Sequence, residues 1–226
     1  MTLASPASLA RYVAGFALCK ILLVAFLAIS ANPAHAQPQK LIAIGDSLTH
    51  GFGLEQDKGF VPQLERWLRD QGHDVTVINM GVSGDTTEGG RARLGWALAD
   101  GGDAVIVELG GNDLLRGIDP ARSRDNLAAM LTELQAAGLP VLLTGMSAPL
   151  NYGPEFKEAF DSMYPELAEE YGAILYPSFL EGVVGTEGPA EGLMQDDGIH
   201  PNATGVALIV EGIGPKVLEL LERAGK

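Results

Sequence analysis

From Lys40 onward, short apolar runs alternate with longer stretches in which apolar residues recur every three or four positions. The runs Lys40–Ile44, Val75–Asn79, Ala104–Leu109, Val141–Gly145 and Ile174–Tyr176 predict five strands, apolar enough to be buried on both faces. The periodic stretches Phe60–Asp70, Thr86–Ala99, Ala121–Ala137, Pro154–Tyr171 and Asn202–Leu221 predict helices. Phe60, Leu64, Trp67 and Leu68 share one face of the first. Ser83, Asp85 and Thr86 are candidate caps for the second. Gly138 ends the third, and Pro165 predicts a kink or break in the fourth. Repeated strand–helix units imply one α/β domain, a parallel sheet with helices on both faces. In such sheets a site forms beyond the carboxyl ends of the strands. The longest irregular stretch, Ser178–Ile199, is rich in Gly, Pro and acid and is the candidate mobile loop.

The first 36 residues break this rhythm. Arg11 and Lys20 are basic, Ile21–Ile29 is apolar, and Ala34-His35-Ala36 has the small-x-small form of a cleavage site before Gln37. This predicts a cleavable secretory leader over 1–36 and a single domain over 37–226. An uncleaved anchor fits less well, because Lys20 shortens the apolar run below what a bilayer needs. Cys19, the only cysteine, falls within that leader, so the mature chain has no disulfide and no cysteine metal site. A periplasmic or secreted location follows as the expectation.

Charge narrows the partners. Losing Arg11 and Lys20 with the leader leaves 13 basic side chains against 29 acidic ones, a formal charge of −16. Nucleic acid and anionic membrane surfaces are repelled by such a chain. The charge serves solubility and gives a mild bias toward neutral or zwitterionic small molecules.

Four motifs fall at strand ends or helix entries: Gly45-Asp46-Ser47-Leu48, Ser83-Gly84-Asp85, Gly110-Gly111-Asn112-Asp113 and Asp197-Gly198-Ile199-His200. Together they supply every part of a serine hydrolase. A serine hydroxyl is a weak nucleophile at neutral pH and needs a base. His200 is the candidate base, with Asp197 three residues earlier to accept from Nδ1–H and leave Nε2 facing Ser47. A tetrahedral intermediate needs donors for its oxyanion. The Ser47 N–H, the Gly84 N–H and the Asn112 side-chain amide are the candidates. Each motif alone has a plainer reading: Asp-x-x-His as a helix cap beside a surface histidine, and the glycine motifs as ordinary turns.

Other polar residues fit supporting places. His50 lacks a matching carboxylate and reads as a site-wall or surface residue, His73 beside Gly72 reads as a favourable charge at a helix end, Asp46 and Asp113 read as loop braces, and Asp196 is disfavoured against Asp197 by spacing. No cluster has metal-ligand spacing, and Gly51-Phe52-Gly53 lacks the third glycine of a dinucleotide fingerprint, so no metal or other cofactor is expected. The absence of Gly-x-Ser-x-Gly, with acid and base sharing one late loop, argues against the common α/β-hydrolase.

With these motifs the chain resembles the SGNH (GDSL) hydrolases, and closely their bacterial arylesterase, acyl-CoA thioesterase I and lysophospholipase L1 group. The matching stretches are Ile44–Gly51, Asn79–Thr86, Glu108–Gly117, Asn151–Ala159 and Met194–Asn202. The resemblance implies a flavodoxin-like α/β/α sandwich with a five-stranded parallel sheet in order 2-1-3-4-5, no cofactor and broad substrate tolerance. It places the catalytic serine on Ser47, the acid and base on Asp197 and His200, and the oxyanion donors on Ser47, Gly84 and Asn112. It also implies a substrate loop over Leu114–Pro120, in which Leu114, Leu115 and Ile118 would touch an acyl chain.

Three functions remain open to the sequence. The first is an exported carboxylic-ester hydrolase, acting on aryl esters or lysophospholipids, with thioesterase activity beside it. It would be a monomer with no membrane anchor after cleavage. The second is a carbohydrate O-acetyl esterase on the same fold. The third, a lipid-binding protein without turnover, has no need of all five groups.

Overall fold

A computed structural model describes residues 38–185 and 188–225. The leader expected at 1–36 lies outside the described residues. Five strands, β1 (Gln39–Gly45), β2 (Val75–Gly81), β3 (Ala104–Glu108), β4 (Val141–Thr144) and β5 (Ile174–Tyr176), form one parallel sheet in the order β2-β1-β3-β4-β5. Alternation along the central strands explains why they are apolar throughout. Leu41, Ala43, Ala104 and Ile106 face one core; Ile42, Ile44, Val105 and Val107 face the other. Buried faces of this kind supply most of the driving force for the fold.

The first core is closed by two of the helices, α2 (Phe60–Asp70) and α8 (Ala203–Ala224). They approach closely because Gly214 has no side chain where the Trp67 ring lies. The second core is closed by α6 (Pro120–Ala136) and α7 (Pro154–Tyr171). Short helices α1 (Ser47–His50), α3 (Thr87–Ala92), α4 (Leu94–Ala97) and α5 (Gly111–Leu115) follow the strands that carry the motifs. Register aligns the carboxyl ends: Gly45 lies between Gly81 and Glu108, and Glu108 is opposite Thr144.

Two expectations need correction. The helix expected over Thr86–Ala99 is two helices, α3 and α4, parted at Arg93 with φ −108° and ψ 5°. Arg93 turns inward to donate from Nη1 to the Met80 carbonyl at 2.7 Å and from Nη2 to the Gly45 carbonyl at 2.8 Å, and it pairs with Asp85. Those bonds tie the serine-bearing strand end to its neighbour, and a straight helix would not place the guanidinium there. Pro165, in turn, sits inside an unbroken α7. Phe160, Met163, Tyr164 and Leu167 bury that helix in the second core, and the packing offsets the one backbone bond that proline removes.

The Ser178–Ile199 stretch carries a two-stranded antiparallel pair, β6 (Val184–Gly185) and β7 (Gly188–Pro189), and is anchored by buried Phe179 and Val183. No helix among the described residues is long and apolar enough to cross a membrane.

Candidate active site

The chain leaves the sheet at Gly45, and Asp46 caps α1, its Oδ1 accepting from the Leu48 N–H at 2.9 Å. Ser47 is therefore the first residue of a helix, where backbone N–H groups have no intrahelical acceptor. After β2, Gly84 adopts φ 86°, and its carbonyl accepts from Arg116 Nη2 at 2.7 Å. After β3, Gly110 turns the chain at φ 122°; a β-carbon there would run into the Tyr164 hydroxyl, which donates to the Leu109 carbonyl at 3.0 Å. That turn starts α5 and places Asn112, whose Nδ2 donates to Asp46 Oδ2 at 3.0 Å. One amide hydrogen is thus committed to Asp46, and the other remains for a ligand.

The fourth motif arrives from the opposite end of the chain. Asp197 Oδ1 accepts from the backbone N–H groups of Ile199 (2.9 Å) and His200 (3.0 Å), and Oδ2 accepts from His200 Nδ1 at 2.6 Å. These donors, the His200 N–H and ring first, hold the Asp197 carboxyl down at about 2. With Nδ1–H directed at Asp197, Nε2 is left as the acceptor, and it lies 2.9 Å from Ser47 Oγ. The loop is clipped to the serine side through Gln195, whose Nε2 donates to the Phe52 carbonyl at 2.8 Å and the Pro201 carbonyl at 3.1 Å. The Phe52 ring lies against the His200 ring, centroids 4.8 Å apart.

Ser47, Gly84, Asn112 and His200 share the wall of one cavity of about 520 Å³. Its remaining surface is largely apolar, with Leu114, Leu115, Met146, Leu180 and Ile199 among the lining residues. Ile118 lies elsewhere, in a separate depression with Glu88 and Arg91. Asp197 rather than Asp196 meets the histidine. His50 bonds Ser83 Oγ at 3.1 Å through Nδ1; Ser83 lines the cavity and His50 does not. Asp113 is buried and takes bonds from the Thr87 N–H, the Thr87 hydroxyl and the Ser123 hydroxyl, bracing α5 against α3 and α6.

Four contributors escape a reading of motifs: Thr49, Arg93, Glu108 and Gln195. Glu108 alone had a signal in the sequence, an acid ending the run Ala104-Val105-Ile106-Val107 that is otherwise apolar. Buried acids are rare unless partnered. The other three bond to backbone or to buried groups distant in sequence, which no local pattern announces.

A serine, an imidazole and a carboxylate in hydrogen-bonded series, beside N–H donors at the carboxyl end of a 2-1-3-4-5 sheet, define the class of α/β/α serine hydrolases. Residues 43–208 match the GDSL-like Lipase/Acylhydrolase family, and the chain belongs to that family. Similar proteins include "Esterase TesA" of Pseudomonas aeruginosa, 42% identical over 202 residues that cover 89% of this chain and 98% of that one. "Thioesterase 1/protease 1/lysophospholipase L1" of Escherichia coli is 36% identical over 188 residues, covering 82% and 86% respectively. A crystal structure of TesA superposes with a TM-score of 0.75 at 43% identity, covering 80% of this chain and 99% of that one.

Proposed function

We propose that this SGNH ester hydrolase is exported and cleaves carboxylic esters of apolar acids, with lysophospholipids and aryl esters as substrates and thioesters as accessory ones. Ser47 Oγ attacks the ester carbonyl while its proton passes to His200 Nε2. The oxyanion that forms accepts from the Ser47 N–H, the Gly84 N–H and the free Asn112 amide hydrogen. Collapse expels the alcohol, which takes the proton from His200. Water then attacks the acyl-enzyme, its proton passing to His200 and back to Ser47 as the acid leaves. Asp197 keeps the imidazole in the accepting tautomer and stabilises its charged form.

The observation that carries this reading is the 2.9 Å contact between Ser47 Oγ and His200 Nε2 on the wall of an apolar cavity. The lining of Leu114 and Leu115 supports an acyl chain over a sugar. The leader over 1–36 supports export to the periplasm or medium, where coenzyme A is scarce and oxygen esters are the available substrates. The names of the relatives, an esterase and a thioesterase/lysophospholipase, support the same substrate classes.

The test is turnover of p-nitrophenyl esters from acetate to palmitate by the mature chain and by Ser47→Ala. Serine-dependent turnover peaking at medium or long chains is expected, and lysophospholipids then follow as substrates. Turnover confined to acetate would assign the site to sugar deacetylation instead. Retention of most activity by Ser47→Ala would refute the acyl-enzyme.

A further inference from the structure

Glu108 ends the central strand β3 with no solvent exposure. Its Oε2 accepts from the Thr49 hydroxyl at 2.8 Å and from the Asp46 N–H at 3.3 Å. Its Oε1 is buried and has no donor among the described residues. The bond from the Asp46 N–H brings the two carboxyl groups close enough for the Asp46 charge to act on Glu108. Among the described residues, no arginine, lysine or histidine bonds to it. Arg93, which reaches the Gly45 carbonyl beside Glu108, is engaged with Asp85 and with the carbonyls of Met80 and Gly45. The other ionisable groups around the pair are Tyr164, whose hydroxyl donates to the Leu109 carbonyl, and His200, whose charge bears on Asp46.

Two neighbouring carboxyl groups out of water cannot both be anions at modest cost. A proton placed between them turns repulsion into a charge-assisted hydrogen bond. Burial pushes the Asp46 carboxyl up too, but the Leu48 N–H and the Asn112 amide both bond to it and favour its charged form. Glu108 is the more deeply buried, and both burial and the Asp46 charge push its carboxyl up. The proton therefore belongs to Glu108.

We infer that Glu108 is held as a neutral acid that donates to the Asp46 carboxylate, and that this pair aims the Asn112 amide at the oxyanion. The inference rests on the donor role proposed for Asn112. The pair's charge matters to that role. With one proton, a single negative charge lies behind the Asn112 donor and orients it through the 3.0 Å bond from Nδ2 to Asp46 Oδ2. With none, two negative charges would oppose the developing oxyanion, cancelling part of what the donors supply. Glu108 is thus a positioning residue: it touches no substrate and lines no part of the cavity.

Infrared difference spectroscopy on the full protein tests the proton directly. A protonated-carboxyl C=O band is expected in wild type at neutral pH and is expected to vanish in Glu108→Gln. A wild-type spectrum without the band, or a band that Glu108→Gln leaves in place, overturns the inference. Kinetics on a p-nitrophenyl ester supply the second arm. Glutamine mimics a neutral acid, donating to Asp46 and accepting from Thr49, so kcat and KM are expected within about threefold of wild type. Glu108→Leu is expected to lower kcat on the order of a hundredfold with KM little changed, because Asn112 loses its fixed direction. A glutamine variant as slow as the leucine variant would refute a neutral Glu108. The infrared band is read without turnover, so failure of the hydrolase reading and failure of this one are separable.

Discussion

The two halves of the site are held by different physics. Ser47 and Asn112 stand on the short helices that follow β1 and β3, tied through Asp46 and Glu108 by one buried and one half-buried bond that span 62 and 66 residues of chain. Asp197 and His200 stand on a loop, tied to each other by two bonds that each span three residues, with Asp197 about a third exposed. The sheet half is preorganised by the same packing that folds the domain. The loop half is a local turn pinned to the rest mainly through Gln195 and Phe52. Changes near the oxyanion donors should therefore disturb folding and catalysis together, whereas changes near the base should disturb catalysis alone.

The largest expected effect lies on the loop side. Asp197→Asn should lower kcat about 10⁴-fold, because an amide no longer fixes the accepting tautomer, while the melting temperature at neutral pH falls only modestly, since water screens the exposed carboxylate. Its pH signature has a definite sign. The Asp197 carboxyl is depressed to about 2 from an unfolded 3.8. Its contribution to stability is present above that unfolded value and is lost as pH falls toward about 2. Wild type and Asp197→Asn should thus converge in melting temperature at the acid end of a thermal series. A large loss of stability in this variant at neutral pH would break the contrast between the halves.

Next comes Asn112→Ala, expected to cost about 10²–10³ in kcat as one oxyanion donor disappears. Because the Asp46 carboxylate also loses a partner in the interior, the melting temperature should fall as well. Steady-state kinetics and calorimetry on one preparation decide it; an unchanged melting temperature would argue against the coupling claimed for the sheet half.

Glu108→Gln offers a test through pH and stability. A carboxyl whose folded pKa is raised takes up a proton on folding, so its presence costs stability increasingly as pH rises above the unfolded value. Glutamine has no such cost. The stability gain of Glu108→Gln over wild type should be larger at pH 7 than at pH 4, measured by denaturant titration at both. A gain independent of pH would mean that Glu108 does not change protonation on folding.

The smallest effect is expected for Gln195→Ala. Removing the clip should slow turnover by less than about tenfold and lower stability by about 1 kcal/mol, the order of a lost hydrogen bond at a half-buried side chain. A severe loss of stability would show that the loop is integral to the core.

The same division explains what could be read from the sequence. Strands and helices repeated in alternation because both faces of the sheet are covered, so apolar runs such as Leu41–Ile44 marked the sheet to within two residues at each end. The acid and base were legible because Asp197 and His200 interact within one turn. Asn112 was legible through its glycine neighbours, which the turn at Gly110 requires. Arg93 and Gln195 were not, since each acts on a group that only folding brings near, and Glu108 showed only as an acid ending an apolar run. The parting of α3 from α4 belongs with these: helical periodicity persists through Arg93, and only its carbonyl partners on β1 and β2 reveal why the helix stops. Ile118 shows the opposite failure, an apolar residue in the right segment that folding directs away from the cavity.

The serine and its base are 153 residues apart in the chain. Ser47 follows the first strand, whereas His200 immediately precedes the closing helix α8, whose first turn is capped by Asn202. A ribosome releases the first long before the second, so a nascent or C-terminally clipped chain displays a serine with no base to activate it. The arrangement ties the proposed pair to completion of the chain: Ser47 and His200 meet only after the segment that enters α8 has been made and folded.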